Sequence, residues 1–375
     1  MNEHEFLKPR LVGKRFDGTA IPLEFLKDLA VLEEMIIEVA KGEFLKDHPD
    51  RQRSPRGFTD GIELKLTGIE DGSAIPVISL VVASMALFPP ENQSYFERAR
   101  DSIVSAVDAA EKGGTITDHL PEKSLSYFDR MGRSLREGEA MEFTTPSHIQ
   151  PAKLTRETRR RLVYASSAAQ EIAEDTTVRG SIPEADQDDM QFEIQMADGR
   201  KVKAPIEPQH RDTILKAFNG YENGQKAFIQ GVGVFNRNGK LVRFDSIEHV
   251  SPLDPLDVGA RLDEIRLLKD GWMEGGGYAP DKDGLNWLEA AFNQNYPDEV
   301  TPPYLYPTPE GDIRAEWSDA RQELSLNIQL AIKRATWHAL DLETDGEESR
   351  DLNLDEVADW EWLVNKIRET MGGAA

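Results

Sequence analysis

Seven histidines, at positions 4, 48, 119, 148, 210, 249 and 338, are the side chains here most suited to proton transfer or metal ligation near neutral pH. They are dispersed. None forms the HExxH spacing that brings two imidazoles and a glutamate to one zinc ion, and none stands close to a pair of carboxylates. Asp186, Asp188 and Asp189 resemble the start of a calcium loop, but the EF-hand glycine and terminal glutamate are missing, so a solvated turn accounts for them. No GxSxG elbow frames a serine nucleophile. The stretch Gly271-Trp272-Met273-Glu274-Gly275-Gly276-Gly277 lacks the Lys-Ser/Thr of a phosphate loop, and Glu274 would repel an anion. Gly231-Val232-Gly233 is too short for a dinucleotide fingerprint. With no cysteine in the chain, disulfides, thiolate chemistry and cysteine-held metals are excluded. We therefore assign no catalytic residue, no metal ligand and no cofactor.

What remains is charge and aromatic surface suited to binding. In the middle of the chain the candidates are Arg179, Gln195, Lys201, Lys203 and Arg243. Near the C-terminus they are Asp345, Glu347 and Glu348, within a run of polar residues expected to be an acidic loop. All six tryptophans (Trp272, Trp287, Trp317, Trp337, Trp360, Trp362) lie in the last third. Trp is enriched at interaction hot spots, although residues such as Trp317 and Trp337 on alternating strands more often simply build a core. Trp360 and Trp362, two apart on a helix, cannot share one face.

Charge distribution divides the chain. The net charge is −24, made up of −7 over residues 1–175, −1 over 176–252 and −16 over 253–375. Such a balance opposes nonspecific coating of nucleic acid. A length of 375 residues exceeds a single ordinary core, and 39% hydrophobic with 30% charged residues is the composition of a folded chain. The start Met1-Asn2-Glu3-His4-Glu5 lacks the basic, then apolar, pattern of a secretory signal. The most apolar stretch, Ile75 to Phe88, is too short to span a bilayer. A cytoplasmic protein without a membrane segment is the expectation.

The elements that would position these groups follow from periodicity. In residues 1–175 Phe25, Leu29, Leu32, Ile36 and Val39 recur at helical spacing up to Gly42. Ile62, Leu64 and Leu66 alternate with Glu63 and Lys65 as a half-buried strand, and Glu70-Asp71-Gly72-Ser73 turns it into a second strand from Ile75. Helices are expected through Phe96 to Ala110, through Leu125 to Gly138, and from a Thr155 cap to about Ala173.

Residues 176–252 read β-β-β-α-β-β. The strands run from Thr177 to Ile182, through Phe192, Ile194 and Met196, through Val202, Ala204 and Ile206, then Ala227 to Phe235 and Leu241 to Val250. The helix lies between Gln209 and Tyr221. This is the order of an OB-like five-stranded β-barrel. Its exposed face, where that fold commonly receives single strands or sugars, would carry Glu193, Gln195, Lys201 and Lys203, with Arg179 and Arg243 adjacent, but no clear exposed aromatic.

Residues 253–375 predict helices over Val258 to Lys269 and Asp283 to Gln294. An antiparallel meander follows (Tyr304 to Tyr306, Ile313 to Trp317, Glu323 to Gln329, Arg334 to Leu340), and then a helix over Asp355 to Met371. The fold class is α+β multidomain: an N-terminal α/β module, a central OB-like five-stranded β-barrel, and a C-terminal α+β module with an antiparallel meander.

Two resemblances attach to particular residues. His48-Pro49-Asp50 is similar to the signature tripeptide of J-domain co-chaperones, but it leads towards Arg56-Gly57-Phe58 and a strand, so a basic exposed turn is the reading. More broadly, Ile69-Glu70-Asp71-Gly72-Ser73, Gly132-Arg133-Ser134-Leu135-Arg136-Glu137-Gly138 and the run from Val178-Arg179-Gly180 to Ile247-Glu248-His249-Val250 resemble uncharacterised bacterial multidomain proteins associated with toxin–antitoxin or phage-defence loci. The resemblance covers most of residues 15–252 and implies a genomic setting, with no active residues to transfer.

Three classes of function stand open. The first is a non-enzymatic binding or regulatory subunit, such as an antitoxin-like or phage-defence accessory protein, whose acidic surface holds a basic protein partner. The second is a nucleic-acid-binding adaptor using the barrel. The third is an enzyme with an unrecognised site.

Overall fold

The computed structural model describes residues 2–18, 20–70, 74–82, 91–318 and 322–371. They form a mixed α/β protein with several sheets, divided into two compact units. The first comprises Met1–Thr176 with Val232–Asp245, the second Thr177–Gly231 with Ser246–Ala375.

The first unit begins with β1 (Asn2–Leu7), β2 (Arg10–Val12) and α1 (Leu26–Asp47). Val31, Leu32, Met35, Ile36 and Val39 point inward from α1 at the spacing that the sequence shows. The helix continues past Gly42 and ends where the His48 ring stacks on Phe44, centroids 4.1 Å apart, with its Nδ1 2.9 Å from the Phe44 carbonyl. From His48 the chain runs through turns into β3 (Ile62–Glu70), not into a second helix. β4 (Ile75–Val82) pairs antiparallel with both β1 and β3, giving a sheet of order β1-β4-β3. Of the apolar stretch and its expected turn, residues 71–73 and 83–88 lie outside the described residues.

Next come α2 (Glu91–Lys112), stopped by Gly113 at φ 76°, and a single turn of helix, α3 (Glu122–Leu125). The helix expected through Leu125 to Gly138 does not form. Gly132 adopts φ 74° with Leu154 against it, and a left-handed residue ends any right-handed helix. β5 (Ala140–Thr145) and β6 (His148–Leu154) join β2 in a sheet of order β2-β5-β6. The Thr155 side chain caps α4 (Arg156–Tyr164) by accepting from the Thr158 amide at 3.1 Å. That helix stops well short of Ala173, because β7 (Glu171–Asp186) has already begun.

The remaining strands that accompany β7 are β8 (Gln191–Met196), β9 (Lys201–Pro205), β10 (Lys226–Asn236) and β11 (Leu241–Pro252), with α5 (Arg211–Asn219) between β9 and β10. These five strands close in the order β10-β11-β9-β8-β7. Phe192, Ile194, Val202 and Ala204 are buried in the alternation read from the sequence. At Gly180 a Cβ would stand 2.6 Å from the Gln195 carbonyl oxygen, so the β7–β8 crossing there requires glycine. The division between the units falls within β7, β10 and β11.

The second unit continues with α6 (Val258–Ile265) and α7 (Lys282–Asn295), capped by Asp257 and Asp281. Five antiparallel strands follow in sequential order: β12 (Tyr304–Pro307), β13 (Ile313–Ser318), β14 (Gln322–Gln329), β15 (Arg334–Asp341) and β16 (Gly346–Asn353). The meander therefore has one strand more than its sequence suggested, and the expected acidic loop is that strand. Gly346 to Asp351 are all exposed, so β16 shows none of the alternation that marks a half-buried strand. Its charges suit an outer strand, where they discourage further pairing. α8 (Val357–Met371) closes the unit. Among the described residues, no helix is long and apolar enough to cross a membrane.

Candidate functional site

The sheet β12 to β16 has two unlike faces. From one, Ile313, Ala315, Trp317, Leu324, Leu326, Ile328, Ala335, Trp337 and Leu352 meet Leu262, Leu285, Leu288, Phe292, Trp360 and Leu363 of α6, α7 and α8 in a continuous core. The strand period of two sends the intervening residues to the other face.

There the register builds rows across the sheet. Tyr304 stands opposite Glu316, Glu316 opposite Ser325, Ser325 opposite His338 and His338 opposite Ser349. A neighbouring row runs Ser318, Glu323, Leu340, Glu347. On and beside these rows lies a concavity of about 620 Å³ lined by the carboxylates of Glu316, Glu323 and Glu347 against Arg314 and His338, and also by Glu348, which the register sets opposite Ala339 on the other face. Arg314 pairs with Glu316 at 2.7 Å and Lys366 with Glu348 at 2.7 Å. The site is acidic, broad and polar. Among the described residues no group of three or more His, Asp or Glu is arranged to hold a metal ion.

Of the three acidic candidates, Glu347 and Glu348 line this concavity, whereas Asp345 occupies the β15–β16 turn at φ 53°. Glu316, Glu323 and His338 were not singled out from sequence. Their signal was present in the outward positions of the meander, alternating with Ala315, Trp317, Leu324 and Trp337.

The tryptophans do not provide exposed anchors. Trp317, Trp337 and Trp360 are buried, and Trp272, Trp287 and Trp362 are partly so. Trp317 donates to the Thr301 carbonyl at 3.0 Å, while Trp362 packs edge-on against Trp337 beneath the Arg350 guanidinium. The exposed aromatics on the face are Tyr304 and Tyr306, at 50% and 44% accessibility.

The barrel candidates are dispersed and mostly engaged. Arg179 reaches Glu289 at 2.7 Å, Asp263 at 3.4 Å and Asp257 at 3.7 Å. Burial alone would lower its pKa, but Glu289, Asp263 and Asp257 outweigh this and raise it. Lys201 pairs with Glu193 at 3.0 Å, and Lys203 stands opposite Glu193 in the β8–β9 ladder. Gln195 accepts from the hydroxyl of the exposed Tyr221 at 3.3 Å, an aromatic that sequence reading had placed only at the end of a helix. Arg243 belongs to the first unit, where it meets Glu171 at 2.8 Å and Asp245 at 3.0 Å.

The chain matches no family model, no curated protein and no solved structure.

Proposed function

We propose that the chain is a non-enzymatic binding or regulatory subunit whose C-terminal sheet face holds a basic segment of a partner protein. The observation that carries this reading is the concavity of about 620 Å³ on that face, where Glu316, Glu323 and Glu347 stand against one arginine and one histidine. Tyr304 and Tyr306 add contact area with little rotamer freedom to lose. The resemblance of residues 15–252 to proteins of toxin–antitoxin and phage-defence loci suggests an antitoxin-like or accessory role in the cytoplasm. An acidic face suits masking a basic toxin, since complementary charge speeds encounter. In the same reading residues 1–175, 176–252 and 253–375 act as separate modules. The middle one is OB-like, with its helix between the third and fourth strands.

A nucleic-acid adaptor is the second reading, favoured by exposed Tyr221 beside Gln195 and by the nearby Lys201. It is the weaker one. The hollow at Lys203 is lined by Glu184, Asp186, Asp189 and Glu193, which repel phosphate.

The test is binding of a fluorescent peptide rich in arginine and leucine to the full chain across a salt series. Glu316→Lys with Glu347→Lys should weaken binding at least tenfold, while Glu222→Lys with Asp254→Lys, elsewhere on the second unit, should change it little. Equal effects of the two pairs would remove the sheet face from consideration. Tight binding of a single-stranded oligonucleotide that Tyr221→Ala abolishes would favour the adaptor.

A further inference from the structure

β3 is an outer strand with an apolar margin. β4 pairs with one edge, and no described strand pairs with the other. Ile62, Leu64 and Leu66 face the α1 side, and Leu66 remains 49% exposed. Beside them is a hollow of about 190 Å³ lined by Leu26, Leu29 and Glu33 of α1 and by Leu64 and Leu66 of β3. On the opposite face Glu63 and Lys65 form an ion pair at 2.7 Å. Lone charges on an outer strand usually discourage pairing. These two can do the reverse.

We propose that β3 pairs antiparallel with β3 of a second copy of this chain, centred on Leu64. Along an outer strand, only alternate residues turn their amide and carbonyl towards the open edge. Two copies related by a two-fold axis must therefore pair residues of like parity, so the axis passes through a residue. Regular pairing is limited to residues 62–66, because a bulge interrupts β3 between Leu66 and Gly68. Three centres keep most of that segment paired. Centring on residue 63 sets Glu63 against Glu63, and centring on 65 sets Lys65 against Lys65. Centring on Leu64 sets Glu63 of each copy against Lys65 of the other and Ile62 against Leu66, with Leu64 facing itself. Only this register has every charge opposite its complement and every apolar residue opposite an apolar one. The axis stands perpendicular to the sheet, so both α1 helices lie on the same side. The exposed margin of Leu66 then continues into an apolar face, and the interface is self-complementary.

Sedimentation of the full-length chain tests this. The wild type should form dimers at high micromolar concentration and dissociate on dilution. Lys65→Glu puts glutamate opposite glutamate, and Glu63→Lys puts lysine opposite lysine. Each should weaken the dimer on the order of tenfold or more. The double variant Glu63→Lys/Lys65→Glu restores both oppositions and should recover wild-type association, and an equimolar mixture of the two single variants should form a heterodimer. Both side chains are exposed, so folding should be retained, which circular dichroism checks. A wild type that stays monomeric overturns the proposal. So does a dimer indifferent to the single substitutions, or a double variant that fails to recover.

Discussion

Gly259 stands against the guanidinium of Arg179, so close that a Cβ at this position would lie 2.5 Å from its Cζ and 2.6 Å from its Nη2. The glycine is the second residue of α6, and the preceding Asp257 both caps that helix and meets the same guanidinium. The missing side chain therefore makes room for a half-buried cation that ties α6 and α7 to β7.

Gly259→Ala should displace Arg179 from Glu289, Asp263 and Asp257 and leave those carboxylates partly unpaired. The expected cost is about 1–3 kcal/mol, less than removal of one partner from a fully buried pair. Urea denaturation measures it. Limited proteolysis supplies a second readout, because the exposed segment around Asp254 and Pro255 should be cut faster in the variant.

The first unit should unfold in acid through Glu174. This buried carboxylate is held by Arg156 at 2.6 Å and Arg160 at 2.7 Å, with Arg159 at 3.8 Å. Burial would raise its pKa, but the hydrogen bonds from Arg160 and Arg156 and their charges hold it below the ordinary 4.5. A folded pKa below the unfolded one gives stabilisation that is complete above the unfolded value and lost as pH falls through the folded value. Glu174→Gln should destabilise the unit by about 3–5 kcal/mol at neutral pH and flatten the acid limb of its stability curve. Thermal melts over a pH series separate the two effects.

Arg159 should be among the least replaceable side chains of the first unit. Its guanidinium is 1% exposed and donates to the carbonyls of Met131 at 3.1 Å and Ala173 at 2.7 Å. Burial lowers its pKa to about 10, against the opposing pull of Glu174, Asp129 and Asp28. Arg159→Met fills similar volume but leaves the carbonyls of Met131 and Ala173 and the Glu174 carboxylate short of donors. A loss of about 3–5 kcal/mol is expected, read by chemical denaturation.

Binding of the arginine-rich peptide should depend on salt mainly through its association rate, which should fall several-fold between low and physiological ionic strength. Charge reversal at Glu347 should slow association more than reversal at Asp345, since only Glu347 lines the concavity. Stopped-flow fluorescence resolves the two rates.

Legibility in the sequence followed the period of burial. Where one face is buried and the other wet, as along Phe192, Ile194 and Met196 or Leu324, Leu326 and Ile328, alternation revealed the strand and its inward side. It failed where charge occupied inward positions or no face was buried. Glu174 points inward at the start of β7 because three arginines meet it, and that carboxylate disguised the strand as the tail of a helix. β16 exposes all six of its first residues, so it read as a loop. The acidic face was half legible. Glu347 and Glu348 drew attention as a charge run, but only the register of β13, β14, β15 and β16 brings Glu316, Glu323 and His338 to one surface with Glu347 and turns Glu348 to the other.

The assignment of Val232–Asp245 to the first unit also orders events during synthesis. Residues 1–176 leave the ribosome first, yet their compact unit lacks a hairpin encoded after β8, β9 and α5. At roughly 5–20 residues per second, several seconds separate the two parts. During that interval the nascent first unit exposes the surface that Phe235 will cover, including Tyr164, whose hydroxyl later donates to the Phe235 carbonyl. A chaperone or an early-binding partner would find its opening there, and a ribosome stalled before residue 245 would hold the first unit unfinished.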